Sequence, residues 1–299
     1  MQRKLIQHGL SSLTVSLPHD FVKRNSLTKG QTIEVEQLPD GLLLRPSASK
    51  QKIHAEVDLS GKIESAKKIL GAFYKCNFTH VEIHFEDAGE LERIQQILGT
   101  QFASYAITRQ TKSTIVVEPM YDDDYTKLDA AMQRMFHIVK SMSHDALLAR
   151  EKDDWQWLKT IALMKFELDK LADFSRKAAN SGAMIGIERI GPFYTLVEQT
   201  EKIADTYQQL CEYVSTTRRP CTKSVVDAYS MTEKYIRMLY ETFARFDIER
   251  MHAFIQERRV IESSLDRMGL TKEVMYVYRI IAIAGDLNGP IMAIRLKQS

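Results

Sequence analysis

From residue 122 onward the chain carries apolar residues at helical spacing almost without interruption, and this feature limits the fold more than any other. Six long stretches share the pattern: 125–149, 153–179, 192–215, 223–245, 248–268 and 272–295. Apolar side chains recurring every three or four residues line one helix face, which must be buried against something. The interruptions carry helix-stop chemistry: Asn180-Ser181-Gly182 after the second stretch, Arg219-Pro220 before the fourth, and Met268-Gly269 after the fifth. Helices of this length on short connections pack as antiparallel neighbours. The expectation for 122–299 is an all-α bundle of six helices, in two three-helix repeats either side of Arg218-Arg219-Pro220.

The first fifty residues read differently. Lys4-Leu5-Ile6 and the stretch from Leu13 to Leu17 look like short strands flanking a turn-like segment, His8 to Ser12. Thr32-Ile33-Glu34-Val35-Glu36 alternates as a half-buried strand does. In Leu38-Pro39-Asp40-Gly41, Pro presets φ and Gly accepts a positive φ, so the chain should turn and return as a strand that Pro46 ends. One short helix lies between the strand pairs. Pro18 suits its first position, Phe21 and Val22 can pack inward, and Lys23 and Arg24 face out. A segment this small holds too few large apolar residues for a core of its own, which predicts a homodimer through this domain.

Residues 51–121 alternate element types in the order βαβαββ, with strands near 52–59, 79–85, 102–108 and 113–118 and helices near 62–74 and 88–98. That order predicts a small α/β domain with its helices against a sheet. On the second strand His80, Glu82 and His84 share one face, where they are metal donors or an ordinary solvated face. The fold class is therefore multi-domain: 1–50, 51–121 and 122–299.

Charge is high but balanced, with 41 Lys+Arg against 39 Asp+Glu; residues 1–50 alone carry a positive excess, a modest seven against four. Cys76, Cys211 and Cys221 stand far apart with no CxxC pair, which suggests free thiols in a reducing cytoplasm. The N-terminus lacks a signal-peptide core, and no apolar run looks long enough to cross a bilayer, so a cytoplasmic protein without membrane insertion is expected.

Acidic residues recur four apart along the helical region: Asp169 and Asp173, Glu201 and Asp205, and, more weakly, Glu262 and Asp266. Positions i and i+4 stack on one helix face, so each pair can present two oxygen donors to one cation. Against the apolar stripe through Ile203, Tyr207 and Leu210, Glu201 and Asp205 fall on the polar side; Asp169 and Asp173 stand likewise opposite Leu171. Like charges so spaced repel, and their recurrence suggests a bridging positive charge. Spacing does not select among divalent or trivalent metals, and a plain solvated face remains open. No P-loop, GxGxxG, HExxH or GxSxG occurs, and the histidines are scattered, so no enzyme is expected.

Two stretches resemble known families. Leu17-Pro18, Phe21-Val22, Leu27, Lys29-Gly30 and Ile33-Glu34-Val35 resemble the AbrB/SpoVT-like (swapped-hairpin) DNA-binding domain. The run from Leu196 to Asp205, Leu-Val-Glu-Gln-Thr-Glu-Lys-Ile-Ala-Asp, resembles the PhoU family, whose repeats carry E-x-x-x-D beside Ile-Ala. The combined order resembles archaeal PhoU-domain proteins that carry such a head, a phosphate uptake regulator family. The resemblance implies two interlocked hairpins in a dimer, metal-holding acidic helix faces, and a role in phosphate homeostasis. Asp286 has Ala282 four residues before it, so the second repeat departs from the pattern.

In the head, DNA contact would fall to the basic residues Arg3, Lys4, His8, Lys23 and Arg24, with Lys and Arg supplying phosphate contacts. The leading expectation is a DNA-binding transcriptional regulator linked to phosphate uptake. Its alternatives are a PhoU-like adaptor of a phosphate transporter or signalling protein that uses its head only to dimerise, and a di-metal hydrolase.

Overall fold

The computed structural model describes residues 2–9, 12–38, 41–46, 53–102, 104–120, 124–181, 189–269 and 271–296. The chain divides into two compact units, 1–54 and 55–299.

In the first unit β1 (Ile6–His8) pairs antiparallel with β2 (Ser12–Thr14), Ile6 opposite Thr14. β1 lies two residues later than the sequence suggests and β2 is shorter, and Leu10 and Ser11 of the connecting turn lie outside the described residues. Helix α1 (His19–Arg24) follows Pro18, which sits in extended conformation at the N-cap rather than in the first turn. Its carbonyl still accepts the Val22 N–H at 3.0 Å, so the ring's missing N–H costs the helix nothing. The Asn25 side-chain N–H closes the other end on Phe21 O at 2.8 Å. Gly30 has φ +88°, a left-handed turn that a Cβ would strain, immediately before the second hairpin. There β3 (Ile33–Leu38) pairs antiparallel with β4 (Gly41–Pro46), and Pro46 is the last paired residue. The expected turn residues Pro39 and Asp40 lie outside the described residues.

Among the side chains described in this unit none is buried. Leu5, Ile6, Leu13, Val15, Val35 and Leu42 are all 49–65% exposed. One copy of the head leaves its apolar faces open.

The second unit begins with the α/β module. Its elements are β5 (His54–Asp58), α2 (Ala66–Lys75), β6 (His80–His84), α3 (Ala88–Gln101), β7 (Tyr105–Gln110) and β8 (Thr114–Pro119). The sheet order is β5-β6-β8-β7, with β6 and β7 both antiparallel to β8. Period-2 burial on β6 turns Val81 and Ile83 inward, where they meet Leu70 of α2, Ile94 and Leu98 of α3, and Ile115 and Val117 of β8. Asp87 caps α3 by accepting the Glu90 N–H at 2.9 Å, and the Glu90 carboxylate accepts the Glu86 and Gly61 N–H groups.

Seven helices follow among the described residues: α4 (Leu128–Glu151), α5 (Trp155–Ser181), α6 (Ile190–Thr217), α7 (Lys223–Ala244), α8 (Ile248–Leu265), α9 (Lys272–Asp286) and α10 (Asn288–Arg295). Thr222, Asp247 and Thr271 cap α7, α8 and α9 with their side-chain oxygens. Arg218, at φ 48°, ends α6 in the left-handed conformation. Gly182 of the expected stop after α5 lies outside the described residues. The sixth sequence stretch is two helices, broken at Leu287. Pro290 explains the break, because it lacks an N–H and its ring opposes the carbonyl four residues earlier.

α4, α5 and α6 pack together, as do α7, α8 and α9, and the triplets meet through α4 against α7 and α6 against α9. The bundle core, from Leu128 to Ile291, shares no residue with the core of the α/β module. Contrary to the sequence expectation, one stretch, Lys272–Arg295, is long and apolar enough to cross a membrane, at mean hydropathy 1.3. The stripe Val274, Val277, Ile280, Ile281 and Ala284 inside the bundle core accounts for much of that hydropathy.

Candidate functional site

The paired carboxylates of α5 and α6 lie away from the bundle core, as their spacing implies, but they do not form an open solvated face. They converge on two cations of α5 itself. Lys165 Nζ reaches Asp169 Oδ2 at 2.7 Å and Asp205 Oδ1 at 3.0 Å, so one ammonium bridges the two helices. One turn past Asp173, Arg176 donates to Asp173 Oδ1 at 3.0 Å and also to Glu198 and Glu201 of α6. From above, α2 of the α/β module adds Lys67, 3.9 Å from Asp169 Oδ2, and Lys75, 3.9 Å from Asp173 Oδ1. Covered in this way, Asp169 is only 5% exposed.

Burial sets the electrostatics. It pushes the Asp169 and Asp173 carboxyls above the usual range, and Lys165, Lys75 and Arg176 offset that only in part. Burial alone would weaken the protonated forms of Lys165 and Arg176, but hydrogen bonds and attraction from Asp169 and Glu201 respectively outweigh it, so both hold their protons more firmly than usual. Asp169 Oδ1 is buried with no hydrogen-bond partner.

Carboxylate oxygens suit hard cations in type, yet as placed these residues do not fit a resident metal. Among the described residues no three His, Cys, Asp or Glu side chains are gathered to hold one. Lys165 and Arg176 stand in the spaces between the carboxylates, and they are the bridging positive charges that the repeated acidic spacing calls for. Their signal was present in sequence, since Lys165 precedes Asp169 by four residues and Arg176 follows Asp173 by three. Lys67 and Lys75, about a hundred residues upstream, carry no such signal.

The second half of the bundle carries a related arrangement in reduced form. Arg258 of α8 holds Glu262 at 2.8 Å and reaches Asp286, at the end of α9, at 2.9 Å. Gly285 makes room for this arm: a Cβ there would meet Arg258 Cδ and Nη1 at 2.6 Å. Asp266 is exposed in a short 3-10 turn (Asp266–Met268) past the end of α8.

On the outer face of the sheet, His80 Nδ1 lies 2.9 Å from Glu118 and His84 Nε2 lies 3.0 Å from Glu56. Glu82 pairs with Arg109 at 3.9 Å. The strand's three donors are thus shared out to three different strands, β8, β5 and β7, instead of converging.

In the head, Arg3, Lys4, His8, Lys23 and Arg24 are all exposed. Arg3 and Lys4 lead into β1 and His8 closes it, while Lys23 and Arg24 occupy the last turn of α1, where cations complement the helix dipole. All five can reach an external anion.

Comparison with known proteins bears mainly on this head. Residues 10–52 match the family described as antidote-toxin recognition MazE, bacterial antitoxin, which makes the head a MazE/AbrB-like domain. Among curated proteins no match is found. Similar solved structures include a PhoU-like protein from Shewanella oneidensis MR-1, 18% identical, with a TM-score of 0.36 over 56% of this chain and 94% of that one. A putative PhoU-like phosphate regulatory protein from the same organism is 13% identical, with a TM-score of 0.31 over 55% and 93%.

Proposed function

We propose that the protein is a DNA-binding transcriptional regulator, with the MazE/AbrB-like head as its DNA-contacting part and the helical body as a sensing or docking part. The observation that carries this reading is the head: a 10–52 match to a family of antitoxin domains together with four exposed Lys and Arg side chains and an exposed His8. Its open apolar faces favour a homodimer, which would double the positive charge presented to one DNA site. The link to phosphate uptake rests on the Leu196 to Asp205 run and its resemblance to PhoU repeats.

The test is salt-dependent binding of promoter DNA. The triple variant Arg3→Ala, Lys4→Ala, Arg24→Ala should bind more weakly, with a salt slope shallower by roughly one unit for each DNA phosphate that is no longer neutralised. Unchanged affinity and slope would remove the assignment.

The second reading, an adaptor whose head serves only to dimerise, is favoured by those same apolar faces. It predicts a dimer with no salt-dependent DNA affinity.

A further inference from the structure

We propose that the acidic face of α5 and α6 is a reversible ionic seat for the chain's own α/β module rather than a metal centre. The inference deepens the reading of the body as a sensor, because a seat that can open lets the body exist in either an open or a closed state.

Three observations carry it. First, the face is neutralised from two sources. Lys165 and Arg176 belong to the bundle and stay with it, whereas Lys67 and Lys75 arrive on α2. The module's lysines stand at 3.9 Å and Lys67 is half exposed, so they are the contacts that solvent and salt weaken most readily.

Second, module and bundle keep separate cores, and several polar contacts cross the seam between them. The Asn77 side chain donates to Lys177 O at 2.9 Å and accepts from the Tyr125 hydroxyl at 3.3 Å. Asn180 donates to Lys75 O at 3.0 Å. The buried Lys177 of α5 places Nζ 4.4 Å from the ring centre of Tyr74 and 5.6 Å from that of Tyr105. Tyr74 and Tyr105 belong to the module core, so separation would uncover the edge of that core while the sheet stays paired, as interfaces between domains can.

Third, closing the seat carries a desolvation cost. Asp169 Oδ1 has no partner, and burial raises the carboxyls of Asp169 and Asp173. Opening would return these two groups to water, which offsets some of what the seam contacts contribute.

Hydrogen exchange read by mass spectrometry on the full chain tests the proposal, with elemental analysis of the same samples. In Lys67→Glu plus Lys75→Glu, amides of 74–78, where α2 ends on α5, should exchange about tenfold faster, while β6 and β8 of the module core keep their protection. Asn77→Gly keeps the left-handed turn at φ 60° but removes the side-chain bonds, and should loosen the same seam. Raising NaCl from roughly 0.05 to 0.5 M should do so in the unaltered protein. Seam protection unchanged in both variants overturns the proposal. If neither variant folds, seam exchange independent of salt overturns it. Stoichiometric metal that Glu201→Gln plus Asp205→Asn abolishes overturns it as well. None of these readouts involves DNA, so failure here and failure of the DNA-binding reading are separate results.

Discussion

Arg150 and Glu273, 123 residues apart in sequence, meet inside the bundle through two hydrogen bonds, Nε to Oε1 at 2.7 Å and Nη2 to Oε2 at 3.4 Å. Arg150 is 1% exposed. Its remaining N–H groups reach Asp153 and, at 3.1 Å, the Arg219 carbonyl, while Asp153 in turn accepts the Cys221 N–H. One guanidinium therefore ties the end of α4 to the α6–α7 connection and to the start of α9, across both halves of the bundle. Glu273→Ala should leave that cation partly uncompensated and cost about 3–5 kcal/mol. Urea unfolding monitored by circular dichroism measures it; a loss below about 1 kcal/mol would mean the pair is not what joins the halves.

The head offers a sharper test of assembly. Leu13→Lys plus Leu42→Lys places charge on side chains that stand open in one copy. If nothing covered them, stability would move by no more than about 0.5 kcal/mol per site. With a second copy seated there, sedimentation should show a shift to monomer and the melting temperature should fall.

pH dependence follows from Asp173. Its carboxyl titrates above the usual carboxylate value of 3.8 because burial disfavours the anion. Between those two values the folded chain binds more protons than the unfolded one, so this residue's contribution to stability rises as pH falls through the raised value. Compared with Asp173→Asn, the wild type should gain relative stability from pH 7 towards about pH 4. A stability gap between the two that stays constant over that range, in denaturant titrations, would contradict the assignment.

Thiol reactivity should rank by exposure. Cys76 is exposed and Cys221 partly so, whereas burial pushes the Cys211 thiol up to about 12. Iodoacetamide at mild alkaline pH should modify Cys76 first and leave Cys211 untouched until the bundle unfolds, as peptide mapping would show.

Much of the architecture was legible in the sequence because it is local. The order βαβαββ is written in alternating periods of 2 and 3.6, and the bundle's breaks at Arg219-Pro220 and Met268-Gly269 are written in residues that stop helices. Pro290 was legible too, but the apolar stripe either side of it reads through the break. The candidate site was legible only by half. Four-residue spacing places Asp169 and Asp173 on one face, yet it does not say what covers that face, because Lys67, Lys75 and Asn77 approach from a distant region of the chain. The head shows the complementary limit: its hairpins follow from turn chemistry, while the surface that should cover Leu13 and Leu42 is not encoded near either residue.

The separation of the two hydrophobic cores has a consequence for descent. A substitution at Ile83 or Val117 is repaired within the module, and one at Leu196 or Val277 within the bundle, so each can drift at its own pace. Only residues that belong to both are held by both. In distant relatives with this domain order, co-inheritance should therefore concentrate at Lys67, Lys75 and Asn77 on one side and Asp169, Asp173 and Lys177 on the other.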